Sequence, residues 1–309
     1  QIIPNITLRI QAGAIIQGTV VGPDGLPVAG LRVITQRAAT VDGLQRLLPA
    51  GSGSVTLADG GFQITGLSPG KYSVVADLKR DAFDVGAPSQ ISWLRTPYPS
   101  IVTIGLDEVV PGIDILMRQG PVYSIRGTVA GANAGRLYRV FLQNGTDVAT
   151  LRMVNVQSDE SFSINGIPPG RYGLDLVGPG RPPILEHIEV NVTDQDIPDV
   201  RLETKASPEV TARVTAPVGV DSVNVKLFLR SAVNPTAPIV FSQRGAEGVY
   251  TFENPSPTPN VVSAIGLPPG VAIRSVKFNG QPAANLVVDL SNGGGQIEVL
   301  IGPATSGPQ

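Results

Sequence analysis

Histidine occurs once, at position 187, and cysteine is absent. A Ser-His-Asp triad or an imidazole-rich metal site therefore has a single residue to draw on. Disulfide staples and thiolate metal sites are excluded outright. His187 precedes the apolar Ile188 at the start of a strand-like run, which predicts a surface position. Carboxylates pair at Asp107-Glu108 and Asp159-Glu160. Such pairs serve glycosidases as acid and nucleophile, but here both sit in loops. Asp24-Gly25 and Asp59-Gly60-Gly61 read as turns, because calcium would need more oxygen ligands close by. No Gly-x-Ser-x-Gly elbow, phosphate-cradling loop or EF-hand loop occurs. The expectation is a chain without a cofactor, without a metal and without catalysis.

Two kinds of residue remain as candidates for contact. Trp93 and Tyr98 lie in a Pro-rich segment between two strands. Exposed there, they would stack on sugar rings; the alternative is that they pack beneath a long loop. Asn5, Asn144 and Asn191 each begin a glycosylation sequon, a number close to chance for this length.

The elements that carry these residues follow from composition and pattern. Gly 36 and Pro 28 make up about a fifth of 309 residues, yet 42% of the chain is hydrophobic, so it has enough apolar surface to fold. Apolar runs are short and β-branched, broken about every 8 to 12 residues by Gly, Pro, Asn or Asp, as in an all-β sandwich. A net charge of −2 with no basic cluster argues against nucleic acid. No apolar run has the length of a membrane-spanning helix. No secretory signal opens the sequence, which predicts a mature processed form or an excised piece.

The chain is organised by repetition. Phe62-Gln-Ile-Thr-Gly-Leu-Ser-Pro-Gly-Lys-Tyr72 returns as Phe162-Ser-Ile-Asn-Gly-Ile-Pro-Pro-Gly-Arg-Tyr172, with six identical positions. In both, apolar and polar residues alternate into a Gly/Pro turn, and the Tyr beyond it is placed to anchor its hydroxyl on nearby backbone. Each phrase follows a Gly-Thr-Val opening strand, at Gly18 and Gly127. That spacing is 44 residues in the first copy and 35 in the second. The excess matches a Gly-rich stretch from Thr40 to Ser54, expected to be irregular with one helical turn at Leu44 to Leu48. Asn144-Gly145 between alternating runs predicts a tight hairpin. A third copy is degenerate: Val210 to Val214 opens it without the glycine, and Pro255 to Pro259 replaces the usual turn.

The Gly-Thr-Val, Asp-Gly-x-Pro-Val and Phe-x-Ile-x-Gly-x-x-Pro-Gly-x-Tyr elements resemble the carboxypeptidase regulatory-like domain family. The resemblance is best in copy one, while copy two lacks the Asp-Gly-x-Pro turn and copy three matches weakly. It implies a transthyretin-like (prealbumin-like) β-sandwich, related to collagen-adhesin B-type modules. Three tandem Ig-like/prealbumin-like antiparallel sandwiches are thus expected at 14–118, 119–204 and 205–309, after an extra N-terminal strand in 1–13. Family members typically serve as extracellular spacers, adhesive modules or carbohydrate-associated domains. Related adhesin modules sometimes carry a Lys–Asn isopeptide bond, but Lys226 falls on the polar side of its strand, where that chemistry has no buried amine.

The N-terminal strand is the feature the repeats leave over. Ile6, Leu8 and Ile10 alternate in the position that closing strands occupy before copies two and three. A strand needs a partner for its backbone groups and apolar face. It pairs within the first domain, or belongs to a longer array, or docks on a neighbouring copy by β-augmentation. The last arrangement builds a head-to-tail polymer. The expected role is a secreted or cell-surface structural module of a fibre or adhesive stalk. Its partners are other copies of itself or a surface polysaccharide. The alternative is a carbohydrate-binding accessory domain.

Overall fold

Phe62 and Ile64 are buried while Gln63 and Thr65 are exposed. Phe162 and Ile164 are likewise buried between half-exposed Ser163 and Asn165. This two-residue period makes the phrase a strand with one face on a core. A computed structural model describes residues 13–41, 44–78, 91–132, 136–145, 147–178, 184–220, 222–234 and 237–304. Its regular structure is strand, with two short 3-10 turns and no α-helix among the described residues. The all-β sandwich class expected from the sequence is the one found. The chain falls into two compact units, the first drawn mainly from residues up to Val122 and the second mainly from Tyr123 onward, with Thr40–Leu44 counted in the second.

The first unit opens with β1 (Ala14–Val21), β2 (Leu31–Val41), β3 (Leu44–Val55), β4 (Gly61–Leu67) and β5 (Gly70–Leu78). Shorter strands follow: β6 (Ile91–Leu94), β7 (Thr96–Pro97), β8 (Val102–Ile104), β9 (Val109–Val110), β10 (Ile115–Leu116) and β11 (Arg118–Pro121). One sheet sets β1 between antiparallel β4 and the parallel β9 and β10. The facing sheet runs β3-β2-β5-β7, with β8 also on β5. Ile16, Val33, Ile64, Tyr72, Val74 and Ile115 fill the space between them.

The stretch expected to be irregular with a helical turn is instead a pair of long strands, because β3 is hydrogen-bonded along β2. Tertiary pairing overrides the local preference of its Pro and Gly residues. Gly51, at φ 71°, passes so close over the core that a Cβ would lie 2.6 Å from a Leu67 methyl.

The second unit holds two cores. Around the first of these run β12 (Tyr123–Ala130), β13 (Arg139–Asn144), β14 (Asp147–Asn155), β15 (Ser161–Ile167), β16 (Gly170–Val177), β17 (Ile184–Val192) and β18 (Ile197–Glu203). The sheets are β15-β12-β18 and β17-β16-β13-β14. The Asn144-Gly145 hairpin is present, with Gly145 at φ 54° and Asn144 paired to Asp147.

The other core uses β19 (Val210–Thr215), β20 (Lys226–Ser231), β21 (Val240–Arg244), β22 (Val249–Phe252) and β23 (Pro259–Ile265). It is completed by β24 (Val271–Phe278), β25 (Gln281–Pro282), β26 (Val287–Asp289) and β27 (Gly295–Pro303). Here β21 pairs with β20 through Val240 and Phe241, and with β22 through Ser242 to Arg244. One strand thus serves both sheets and turns the corner between them.

Candidate functional site

In every core the opening and closing strands are parallel neighbours: β1 beside β10, β12 beside β18, β19 beside β27. The glycine of Gly-Thr-Val is what allows the first two. A Cβ on Gly18 would sit 1.9 Å from the Ile113 carbonyl oxygen, and one on Gly127 would sit 2.0 Å from that of Val200. Both ladders are interrupted at this point, whereas β19 and β27 pair without a break. There Ala212 takes the glycine's place and is fully buried. The missing glycine of the third copy thus reflects a regular ladder.

The phrase tyrosines do as expected. Tyr72 Oη donates to the Ser68 carbonyl at 2.7 Å, and Tyr172 Oη to that of Pro168 at 2.9 Å. Tyr250, which starts the degenerate phrase, donates to the Val225 carbonyl at 3.0 Å.

His187 departs from the expected surface position. Its side chain is only 13% exposed and its Nδ1 lies 2.7 Å from Asp175 Oδ1. Asp175 is fully buried, and its Oδ2 accepts from Asn234 Nδ2 at 2.9 Å and Gln143 Nε2 at 3.3 Å. Gln143 Nε2 also donates to the Val233 carbonyl. Three side chains therefore surround one carboxylate, and Asn234 reaches it from the third copy. A carboxylate this deep requires such partners. Nearby, Ile184 N donates to buried Ser256 Oγ at 3.0 Å. Lys205, in the connection between the two cores, pairs with Glu186 at 2.9 Å. The cores of the second unit are thus joined at several points. Sequence reasoning missed this seam, because His187, Asp175, Gln143 and Asn234 share no spacing that marks them as neighbours.

The other candidates fall out as follows. Trp93 and Tyr98 are half-buried and packed against the first core. Asn144 and Asn191 are exposed, and so is Lys226. Asn5, Ile6, Leu8 and Ile10 lie outside the described residues. No group of three or more His, Asp or Glu is placed to hold a metal ion among the described residues. An open groove of about 810 Å³ lies over β12, β15 and β18, lined by Arg126, Thr128, Ser163, Asn165, Asp199 and Arg201 among others. Its guanidinium groups meet exposed carboxylates, Arg126 with Asp196 at 3.3 Å and Arg201 with Glu203 at 3.5 Å.

The acidic pairs occupy turns. Asp107 and Glu160 have φ of 53° and 65°. Asp159 Oδ1 accepts from Ser161 Oγ at 2.6 Å and Ser161 N at 3.1 Å. These bonds, the hydroxyl's first, hold the Asp159 carboxyl below the usual carboxylate range. A depressed carboxylate favours the fold above its unfolded value and loses that contribution as pH falls through the folded one. Ser161→Ala is expected to move the Asp159 titration midpoint upward in an NMR titration. An unmoved midpoint would exclude the hydroxyl as the cause.

No family model matches the chain, and neither does any curated protein. Solved structures give distant likenesses. The Bacillus anthracis TIE protein is 13% identical at a TM-score of 0.23, over 94% of this chain and 50% of that one. The Streptococcal ancillary pilin is 11% identical at a TM-score of 0.27, over 94% of this chain and 100% of that one. GBS52, a minor pilin of Streptococcus agalactiae, is 12% identical at 0.27, over 62% and 95% of the two chains. The chain spans half the length of the first of these.

Proposed function

We propose that this chain is a non-catalytic, extracellular structural module, a subunit of a surface fibre or stalk that associates head to tail through β-strand contacts. Tandem sandwich domains, three in all, carry that role. The observation behind it is the parallel pairing of the opening and closing strands in every core. Parallel neighbours start at the same end of a sheet and finish at the same end. A chain that enters a core along its opening strand therefore leaves at the opposite end, about 25 Å further on for a strand of this length. Antiparallel terminal strands would bring it back to where it began, and added modules would gain little reach.

The candidate donor for subunit contacts is the alternating Ile6, Leu8 and Ile10. Electron micrographs of the intact protein are expected to show filaments. Deleting residues 1–11 should leave folded monomers and no filaments. Filaments that survive the deletion refute the donor, and an intact protein seen only as single particles refutes the polymer.

A further inference from the structure

We propose that the three cores are mechanically graded, with the first acting as a fuse that opens at the lowest load. Tension along the chain pulls the opening strand of a core one way and its closing strand the other. Because the two are parallel neighbours, they slide past each other in shear, and all their hydrogen bonds carry load together. Parallel ladders space their bonds evenly, so resistance rises with the length of uninterrupted pairing. Forced unfolding is set by this barrier and not by equilibrium stability.

The three ladders differ in that length. β19 and β27 pair through six consecutive residues, from Val210↔Gly295 to Thr215↔Leu300, with no shift. β27 is also held on its other side by β24, from Val271↔Pro303 to Phe278↔Ile297. β12 and β18 pair at Ile125↔Ile197 and then, after a shift, from Gly127↔Val200 to Ala130↔Glu203. β1 has only two short patches. Ile15 and Ile16 meet Val109 and Val110, and Val20 and Val21 meet Ile115 and Leu116. Between them the Ile113 carbonyl is wedged against Gly18. One backbone bond, Ile113 N to the Gln17 carbonyl at 3.1 Å, and one exposed side-chain contact, Thr19 N and Oγ1 donating to Asp114 Oδ1 at 3.2 and 2.7 Å, bridge the gap. The second core also has the Asp175 network and the Glu186–Lys205 pair to brace it. In the first core the exit continues into β11, held antiparallel by β6 from Arg118↔Leu94 to Pro121↔Ile91, but its parallel clamp of two two-residue patches is the shortest of the three. This grading belongs to the single chain and stands whether or not subunits polymerise.

Opening each core releases a characteristic length. The stretch from Ala14 to Leu116 is about 100 residues, or about 350 Å at about 3.5 Å each. The second core, Tyr123 to Glu203, gives about 280 Å, and the third, Val210 to Pro303, about 330 Å. The test is single-molecule pulling of the full chain by handles at its two ends. The lowest-force step is expected to release about 350 Å. The chain has no cysteine, so one pair can be introduced without competition. Val21 and Leu116 are register partners on adjacent strands, a separation a disulfide can span. In the oxidised Val21→Cys/Leu116→Cys variant the lowest-force step should vanish, and a reducing agent should restore it, which also shows that the variant folds. A lowest step of about 280 Å, a step that persists in oxidised protein with no free thiol, or cores that open in no fixed order would each overturn the proposal.

Discussion

Replacing Gly18 by alanine is expected to destabilise the first core by about 3 kcal/mol, and Gly127→Ala to do the same to the second. The added methyl has nowhere to go. At Gly18 it would meet the Ile113 carbonyl oxygen at 1.9 Å and its carbon at 2.5 Å. At Gly127 it would meet the Val200 oxygen at 2.0 Å and the Phe162 ring edge at 2.9 Å. Backbone atoms cannot swing aside as a side chain does, so the closing strand must withdraw from the opening strand. That gives up part of the parallel pairing on which the load argument rests. A suitable control is Gly25→Ala, where φ is 76° and nothing lies within 4 Å of the new Cβ. It carries only the strain of a left-handed backbone, about 1 kcal/mol. For a core of this size each kcal/mol moves the melting temperature by about 4–8 °C, so calorimetry separates the two cases. A loss at Gly18 no larger than the control's would mean that the strands part without cost.

Much of this arrangement was legible in the residues. The alternation in Phe62–Thr65, the Gly/Pro turn after it and the Tyr beyond are local signals that survive in any context, and the hydroxyl anchors of Tyr72 and Tyr172 followed from them. Asn144-Gly145 announced its hairpin because such a pair between alternating runs suits little but a tight turn, and Gly145 supplies the left-handed residue there while Asn144 pairs with Asp147. Gly18 and Gly127 were visible as a repeated motif, but not the reason for them, since the carbonyl each glycine admits, of Ile113 and of Val200, lies far along the chain. β3 was read as irregular for the same cause: its pattern of Pro49, Gly51 and Gly53 is poor for a strand, and only pairing with β2 makes it one. His187 failed most instructively. An isolated histidine beside an isoleucine says nothing of a buried carboxylate on the next strand, or of an asparagine supplied by another core.

That carboxylate supports the second large effect. His187→Ala is expected to destabilise the second unit by about 3 kcal/mol, because it removes one of the three side chains around a fully buried Asp175. The Gln143 and Asn234 amides would remain on Oδ2 while Oδ1 lost its imidazole. The first copy shows what the site tolerates in place of the pair. Counting from the phrase tyrosines, Val75 stands where Asp175 stands, and it is buried too. Exchanging a buried polar pair for apolar residues is often near neutral, whereas stranding one member is not. The double variant His187→Ala/Asp175→Val should therefore recover part of the loss, the remainder being the carboxylate oxygen that the buried Asn234 and Gln143 amides give up, with a coupling energy of about 2 kcal/mol in a double-mutant cycle. Chemical denaturation supplies the energies, and hydrogen exchange at the Ile184 amide, which donates to Ser256, reports whether the seam stays closed. A double variant no more stable than His187→Ala would place the cost in lost packing and not in the orphaned carboxylate. The polar cluster around Asp175 would then be a consequence of the contact between the two cores, not its cause.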